Sequence, residues 1–253
     1  MDNYINKITQ GDCLELMKDL PDNSIDMILC DLPYNITQNK WDSIIDMGLL
    51  WKRYDRIIKD TTNVVLFGCG MFTASLMLSN RCYWKYNLVW DKSHSVDFLN
   101  VHIRPMRKHE DIIVFYKKFG TYNPQIEDKP IENIRPATLT DRTSANYGYF
   151  KKGDFRTIPR DKTYPKSIIK ISSANKSNII HPTQKPVDLF RYLIRTYSNK
   201  NDIVLDNCSG SGTTAISCHR ENRKFICFEK EPKYVEASQQ RLEDERAQMK
   251  LFN

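Results

Sequence analysis

What the 253-residue sequence lacks narrows it first. No apolar run approaches the about 18 residues that cross a bilayer as a helix, so a helical membrane protein is not expected. The start, Met1-Asp2-Asn3-Tyr4, has no apolar signal core, and the expectation is a cytoplasmic protein. There is no Cys-x-x-Cys pair. The seven cysteines are odd in number, and Cys30, Cys69 and Cys227 lie in apolar runs. Such thiols read as reduced and buried, which argues against a disulfide framework and against a metal site. No internal repeat or low-complexity tract occurs, so repeat and fibrous architectures drop out. What remains, with 40% hydrophobic and 27% charged residues, is a chain with an ordinary buried core.

Acidic residues are scarce in one place only. Between Lys117 and Ile180 stand 13 Lys/Arg against 6 Asp/Glu, so this segment holds the entire +7 net charge. A confined excess suggests a polyanionic partner, with a solvated basic insert as the alternative. The same region, 119–178, scatters proline, basic and tyrosine residues without a period, and it is too long for a simple connection.

Elsewhere apolar runs of strand length alternate with amphipathic stretches. Strands are predicted at Ile5–Ile8, Ile25–Cys30, Asn63–Gly68, Tyr86–Trp90, Asp111–Tyr116, Asp202–Asp206 and Lys224–Glu229. Helices are predicted at Leu14–Leu20, Ser43–Lys59, Met71–Leu78, Val187–Tyr197, Thr213–Asn222 and from Pro232 towards Met249. Alternation of this kind predicts an α/β fold wound on a mainly parallel sheet. The densest signal is Ile25 to Thr37. Its apolar strand ends in Asp31-Leu32-Pro33-Tyr34, where Pro33 cannot donate to a ladder and the strand must stop. A carboxylate, a backbone acceptor and an aromatic ring therefore gather at the carboxyl edge, where ligands bind in such sheets.

A second cluster, Asp206-Asn207-Cys208-Ser209-Gly210-Ser211-Gly212-Thr213-Thr214-Ala215, joins a strand to a helix. Glycines there let backbone approach a ligand, and the helix start offers unpaired amides. Glu229 closes the next strand and is placed to take the hydroxyls of a ribose. Gly210-x-Gly212-x-x-Ala215 also fits a dinucleotide fingerprint, so a nicotinamide enzyme is a rival. That rival leaves the basic insert and Asp31-Leu32-Pro33-Tyr34 without a role. Asp206, beside the glycines, would repel a pyrophosphate but attract an ammonium. The sign of the charge favours S-adenosylmethionine.

Together the two clusters resemble the amino-group DNA methyltransferases. Asp31-Leu32-Pro33-Tyr34 is similar to the family's [Asp/Asn/Ser]-Pro-Pro-[Tyr/Phe/Trp], with Leu32 in place of the first proline. Asp206 to Thr214 is similar to Asp-x-Phe-x-Gly-Ser-Gly-Thr-Thr, with Cys208 in the Phe place, and His181-Pro182-Thr183-Gln184-Lys185-Pro186 looks like the family's preceding motif. The order of motifs resembles the β group. The resemblance implies a Rossmann-like methyltransferase sheet in two parts, a catalytic half at 1–118 and a cofactor half at 181–253. The basic insert between them, 119–180, would be the target recognition domain.

The resemblance further implies transfer of methyl from S-adenosylmethionine to adenine N6 in double-stranded DNA, with cytosine N4 as the near alternative and a dead methylase fold, motivated by Leu32, as another. Asp31 and the Leu32 carbonyl would accept the amine's N–H groups, and Tyr34 would stack on the flipped base. Asp206, Cys208, Gly210, Ser211, Gly212 and Thr213 would hold the cofactor's methionine end. Lys185 and Thr183 would join at its carboxylate, Glu229 at its ribose, and Asp12 and Cys13 at its adenine, although Asp12 equally suits a helix N-cap. Trp41, Arg135, Arg142, Lys151, Lys152, Arg156 and Arg160 are candidate DNA contacts. His109 and Glu110 read as structural, and His219 as an ordinary helix residue. No Pro-Cys dipeptide occurs, which speaks against a cysteine adduct at cytosine C5. A second copy and a restriction endonuclease remain open as partners in a prokaryotic or phage-infected cell.

Overall fold

The computed structural model describes residues 1–34, 45–96, 98–134, 142–144, 148–150, 158–173, 180 and 184–251. The chain divides into a larger unit, Met1–Asn123 with Ser167–Asn253, and a smaller one, Pro124–Lys166. The larger unit is built on eight strands: β1 Lys7–Gln10, β2 Ile25–Cys30, β3 Ile58–Gly68, β4 Trp84–Val96, β5 Arg107–Phe115, β10 Ile168–Lys170, β11 Ile203–Asp206 and β12 Lys224–Glu229. They lie in the order β1-β12-β11-β2-β3-β5-β4-β10. All neighbouring pairs are parallel except those of β5, which runs against both β3 and β4.

Side chains of a strand alternate between faces, and here both faces are buried, which is why the strands read as unbroken apolar runs. Met27 and Leu29 of β2 join Val65 and Phe67 of β3 in one core, whereas Ile28 and Cys30 join Val64 and Leu66 in the other. Helices close both faces. Helix α4 (Val187–Tyr197) buries Leu189, Phe190, Leu193, Ile194 and Tyr197, with Phe190 stacked on Phe67 at 5.4 Å. On the opposite face α2 (Met47–Ile57), N-capped by Asp46, buries Leu50, Trp51, Tyr54 and Ile57. The remaining helices are α1 (Cys13–Leu16), α3 (Met71–Ser79), α5 (Thr213–Arg220) and α6 (Pro232–Leu251).

The wound α/β sheet expected from alternation is present, with differences at the ends of elements. The first predicted helix is one α-turn that tightens to a 3₁₀ turn over Met17–Asp19 ahead of Pro21. Strands β4 and β5 run several residues further than predicted, because ladder hydrogen bonds continue into polar and basic sequence that carries no apolar period. Ile168–Lys170 forms a main-sheet strand on β4, an element too short to register in the sequence. Among the described residues no helix is long and apolar enough to cross a membrane.

Among its described residues the smaller unit holds two antiparallel pairs. Strand β6 (Glu127–Asp128) pairs with β9 (Lys162–Thr163), reinforced by an ion pair between Lys162 and Asp128. Strand β7 (Arg142–Ser144) pairs with β8 (Gly148–Phe150).

Candidate active site

Parallel strands β1, β12, β11, β2 and β3 all present their carboxyl ends to one edge, and both motifs sit there. Asp31 follows β2 directly. Its Oδ1 accepts the Tyr34 hydroxyl at 2.7 Å, and its Oδ2 is paired with the Lys185 ammonium. Lys185 also stands 3.3 Å from Glu110 of β5, whose other oxygen is paired with Lys92 of β4. Charges thus alternate through Asp31, Lys185, Glu110 and Lys92. Burial pushes the Asp31 carboxyl up against the pull of Lys185. Burial opposes the charges of Glu110 and Lys185 as well, but their partners outweigh it: Glu110 is held below the usual carboxylate range and Lys185 above the usual ammonium range. The Tyr34 ring leans on Phe72 of α3 at 4.6 Å. Leu32, the residue standing where the related motif has proline, is packed in the core and anchors the motif by burial.

One strand over, the loop after β11 carries a different kind of carboxylate. Asp206 is 3% exposed and takes the Thr214 hydroxyl, the Cys208 amide at 3.1 Å and the Cys30 thiol. Burial raises its carboxyl to about 7 despite those donors. Glu229, 9% exposed at the end of β12, takes the amides of Gly210 at 2.8 Å and Glu231 at 2.9 Å. Burial raises it too. Among the described residues neither acid forms an ion pair. Gly212 N-caps α5 in the left-handed region at φ 71°, and a Cβ there would lie 2.9 Å from Ser238 of α6. Arg241 of α6 donates to the Ser211 carbonyl at 2.9 Å and braces the loop from behind. Asn207 accepts the Tyr54 hydroxyl, and its amide reaches the Cys13 and Cys208 sulfurs at 3.7 and 3.5 Å. Burial, helped by the nearby Asp206 charge and opposed by a hydrogen bond with Cys208, keeps Cys30 protonated, its pKa pushed up to about 12.

The structure places Asp31, Leu32, Pro33, Tyr34, Asp206, Cys208, Gly210, Ser211, Gly212, Thr213, Glu229, Asp12 and Cys13 along this one edge. Asp12 is the N-cap of α1, accepting from Leu14 at 2.9 Å. The Lys185 ammonium lies at Asp31 and not at the loop; only its carbonyl meets the loop, accepting from Thr213 at 3.2 Å. Arg160 is exposed in the smaller unit and Arg142 lies in β7. Trp41, Arg135, Lys151, Lys152, Arg156 and Thr183 lie outside the described residues. Sequence reasoning passed over Lys92, Tyr54, Asn207 and Arg241, and took Glu110 as structural. The one available signal for Glu110 was an acid pair, Glu110-Asp111, leading into the apolar run of β5.

A loop of amides between two uncompensated carboxylates suits a ligand that brings its own positive charge and hydroxyls, and repels a pyrophosphate. Similarity to known proteins agrees. A family model described as DNA methylase, for N6/N4 methyltransferases, matches residues 25–240. The type II methyltransferase M.HinfI of Haemophilus influenzae is 25% identical over 280 residues, covering 96% of this chain and 70% of that protein. M1.MboII of Moraxella bovis is 27% identical over 252 residues, covering 91% of this chain and 94% of its own. Among solved structures, the complex of M1.HpyAVI with SAM aligns with a TM-score of 0.63 at 24% identity, over 93% of this chain and 98% of that one. The cytosine-N4-specific PvuII DNA methyltransferase aligns with a TM-score of 0.66 at 18% identity, over 94% and 90%. With Asp31 and the glycine loop on adjacent strands of this fold, the chain belongs to the N6/N4 DNA methylase family.

Proposed function

We propose that the protein methylates the exocyclic N6 amine of adenine in double-stranded DNA, with S-adenosylmethionine as the methyl donor. The observation that carries this reading is the pairing of an acceptor-only catalytic acid, Asp31, with the neighbouring uncompensated carboxylates Asp206 and Glu229. When bound, the cofactor supplies an electrophilic methyl on a sulfonium. Asp206, Cys208, Gly210, Ser211, Gly212 and Thr213 would hold its methionine end and Glu229 its ribose, with Cys13 and the capped turn at Asp12 beside them.

An exocyclic amine is a weak nucleophile because its lone pair is delocalised into the ring. A carboxylate has about four lone-pair sites, and Tyr34 and Lys185 engage one on each oxygen of Asp31. The remaining site on either oxygen accepts an amine N–H, and the Leu32 carbonyl takes the second. Drawing both protons away shifts the nitrogen towards tetrahedral geometry, and fixed placement supplies much of the remaining acceleration. Lys185 supports the Asp31 charge for this purpose, and Glu110 with Lys92 holds Lys185 in place. In place of a contact to the cofactor carboxylate, we assign the Lys185 ammonium to the catalytic acid.

Adenine is favoured by the aspartate at the first motif position, where serine more often accompanies cytosine N4 in similar enzymes. The likeness to the PvuII enzyme concerns the fold and leaves the base choice untouched. The basic segment 119–180, with Arg142 and Arg160 and with Arg135, Lys151, Lys152, Arg156 and Trp41 outside the described residues, is assigned to contacts with DNA. Plasmid DNA incubated with protein and S-adenosylmethionine, then digested to nucleosides, tests the proposal. N6-methyldeoxyadenosine is expected; N4-methyldeoxycytidine as the sole product overturns the base, and absence of any methylated nucleoside overturns the activity.

A further inference from the structure

The hairpin between β4 and β5 projects past the catalytic edge. Asp111 of β5 faces Gly68, the last residue of β3, so Arg107 to Glu110 overhang that end by roughly 13 Å at strand rise. The overhang is built in: its lower part carries Lys92 and Glu110 of the charged cluster, and Arg107 donates to the Cys69 sulfur at 2.7 Å. The tip is folded, with a 3₁₀ turn at Phe98–Asn100 and the amides of Ile103 and Arg104 closing on the Asn100 carbonyl at 2.9 and 3.0 Å. Yet it turns its largest apolar side chains outward. Phe98 is 75% exposed, Leu99 94% and Ile103 83%. A folded turn that presents three large apolar groups to water marks an interaction surface.

Charge identifies the occupant. From Ser93 to His109 the sequence carries Arg104, Arg107, Lys108 and three histidines against one acid, Asp97. Apolar side chains in a cationic frame, overhanging the acid that would grip the target amine, suit a duplex whose backbone meets the cations and whose base stack admits the apolar wedge. A base taken out of the stack leaves a gap with two apolar faces. We propose that Phe98, Leu99 and Ile103 enter the duplex at the position the target base leaves. This rests on the proposed methylation of a base in double-stranded DNA.

The test compares wild type with Phe98→Ser/Leu99→Ser/Ile103→Ser, and with Leu99→Ser alone. The substrates are an oligonucleotide duplex bearing the site mapped on methylated plasmid, the same duplex with an abasic residue opposite the target, and the single strand. Expected for the triple variant is a roughly tenfold or greater loss of kcat/KM on the paired duplex, with near wild-type rates on the other two, since base extrusion there costs little. Leu99→Ser should show the same selectivity to a smaller degree. Equal loss on all three substrates, or no loss, overturns the wedge while wild-type activity leaves the methylase reading standing. Loss that vanishes at high protein concentration, with sedimentation showing a dimer reduced to monomers, overturns it in favour of a second copy on this surface. A wild-type protein that methylates none of the three overturns both.

Discussion

Asp31 and Asp206 end adjacent parallel strands, β2 and β11, and both are pushed upward by burial, but their surroundings have opposite character. Asp31 is compensated by an ammonium that is itself tied to a second acid, and so its charge has a partner before any ligand arrives. Asp206 is held only by a hydroxyl, an amide and a thiol, and its pKa of about 7 leaves it half neutral at neutral pH. The difference sorts ligands. A neutral amine needs an acceptor whose charge is already supported, whereas a cation can itself supply what an uncompensated carboxylate lacks. One sheet edge thus sets a supported acceptor, suited to a neutral nucleophile, beside an unsupported carboxylate suited to a positively charged donor.

The sharpest way to break this pairing is Asp31→Ala. Transfer of labelled methyl to DNA should fall by about 10²–10³-fold or more, by analogy with removal of one charge-stabilising partner. Calorimetric affinity for S-adenosylmethionine should remain near wild type; its collapse would mean that the two sites are not separate. Lys185→Met comes next. It strands Asp31 and Glu110 without their shared cation, which should lower stability by about 3 kcal/mol in denaturant titration. Both carboxyls then rise, so the acidic limb of the kcat profile should move to higher pH. An unchanged limb would show that Lys185 does not support the Asp31 charge.

Asp206→Asn probes the other side with a smaller effect of mixed sign. The folded carboxyl titrates near 7 and the unfolded one near 3.8, so ionisation above neutrality costs the native state stability. The contribution of Asp206 is therefore most favourable below pH 4 and is lost as pH rises through about 7. The asparagine variant should be more stable than wild type at pH 8, by a margin that shrinks to little at low pH. In exchange, affinity for S-adenosylhomocysteine should drop about tenfold, and the tightening that wild type shows as pH rises through about 7 should flatten. A pH-independent wild-type affinity would place Asp206 away from the cofactor's ammonium.

Much of this comparison was legible in the chain. The strands at Ile25–Cys30 and Lys224–Glu229 and the helix at Val187–Tyr197 have the predicted bounds, because elements buried on one or both faces write their period into the residues. The positions of Asp31, Asp206 and Glu229 at strand ends followed from the same runs. What stayed hidden was relational. Nothing local says that the Lys185 ammonium, 154 residues from Asp31, joins that acid. Nor does any pattern join Glu110 to Lys92, since their partnership depends on β5 turning back along β4. The overhanging hairpin was missed for a related reason: its ladder is held by backbone bonds in sequence that is basic and aperiodic.

The gentlest test of the contrast uses two glycines that both need a positive φ but have different surroundings. Gly70 before α3 and Gly212 before α5 both sit at positive φ, 56° and 71°. Gly212, at ψ 22°, is left-handed α, where alanine costs about 1 kcal/mol, whereas Gly70, at ψ −129°, lies in a region that suits glycine alone and costs alanine about 1–3 kcal/mol. At Gly212 the added methyl would also lie 2.9 Å from the Ser238 Cβ and 3.3 Å from Ile8, which wedges α6 from the loop and adds about 1 kcal/mol or more. At Gly70 nothing lies within 4 Å, so only the backbone term remains. Both variants should lower Tm, but Gly212→Ala should also loosen cofactor binding, while Gly70→Ala should leave binding unchanged. Unchanged binding in Gly212→Ala would mean that α6 yields freely and that its brace through Arg241 does not set the loop.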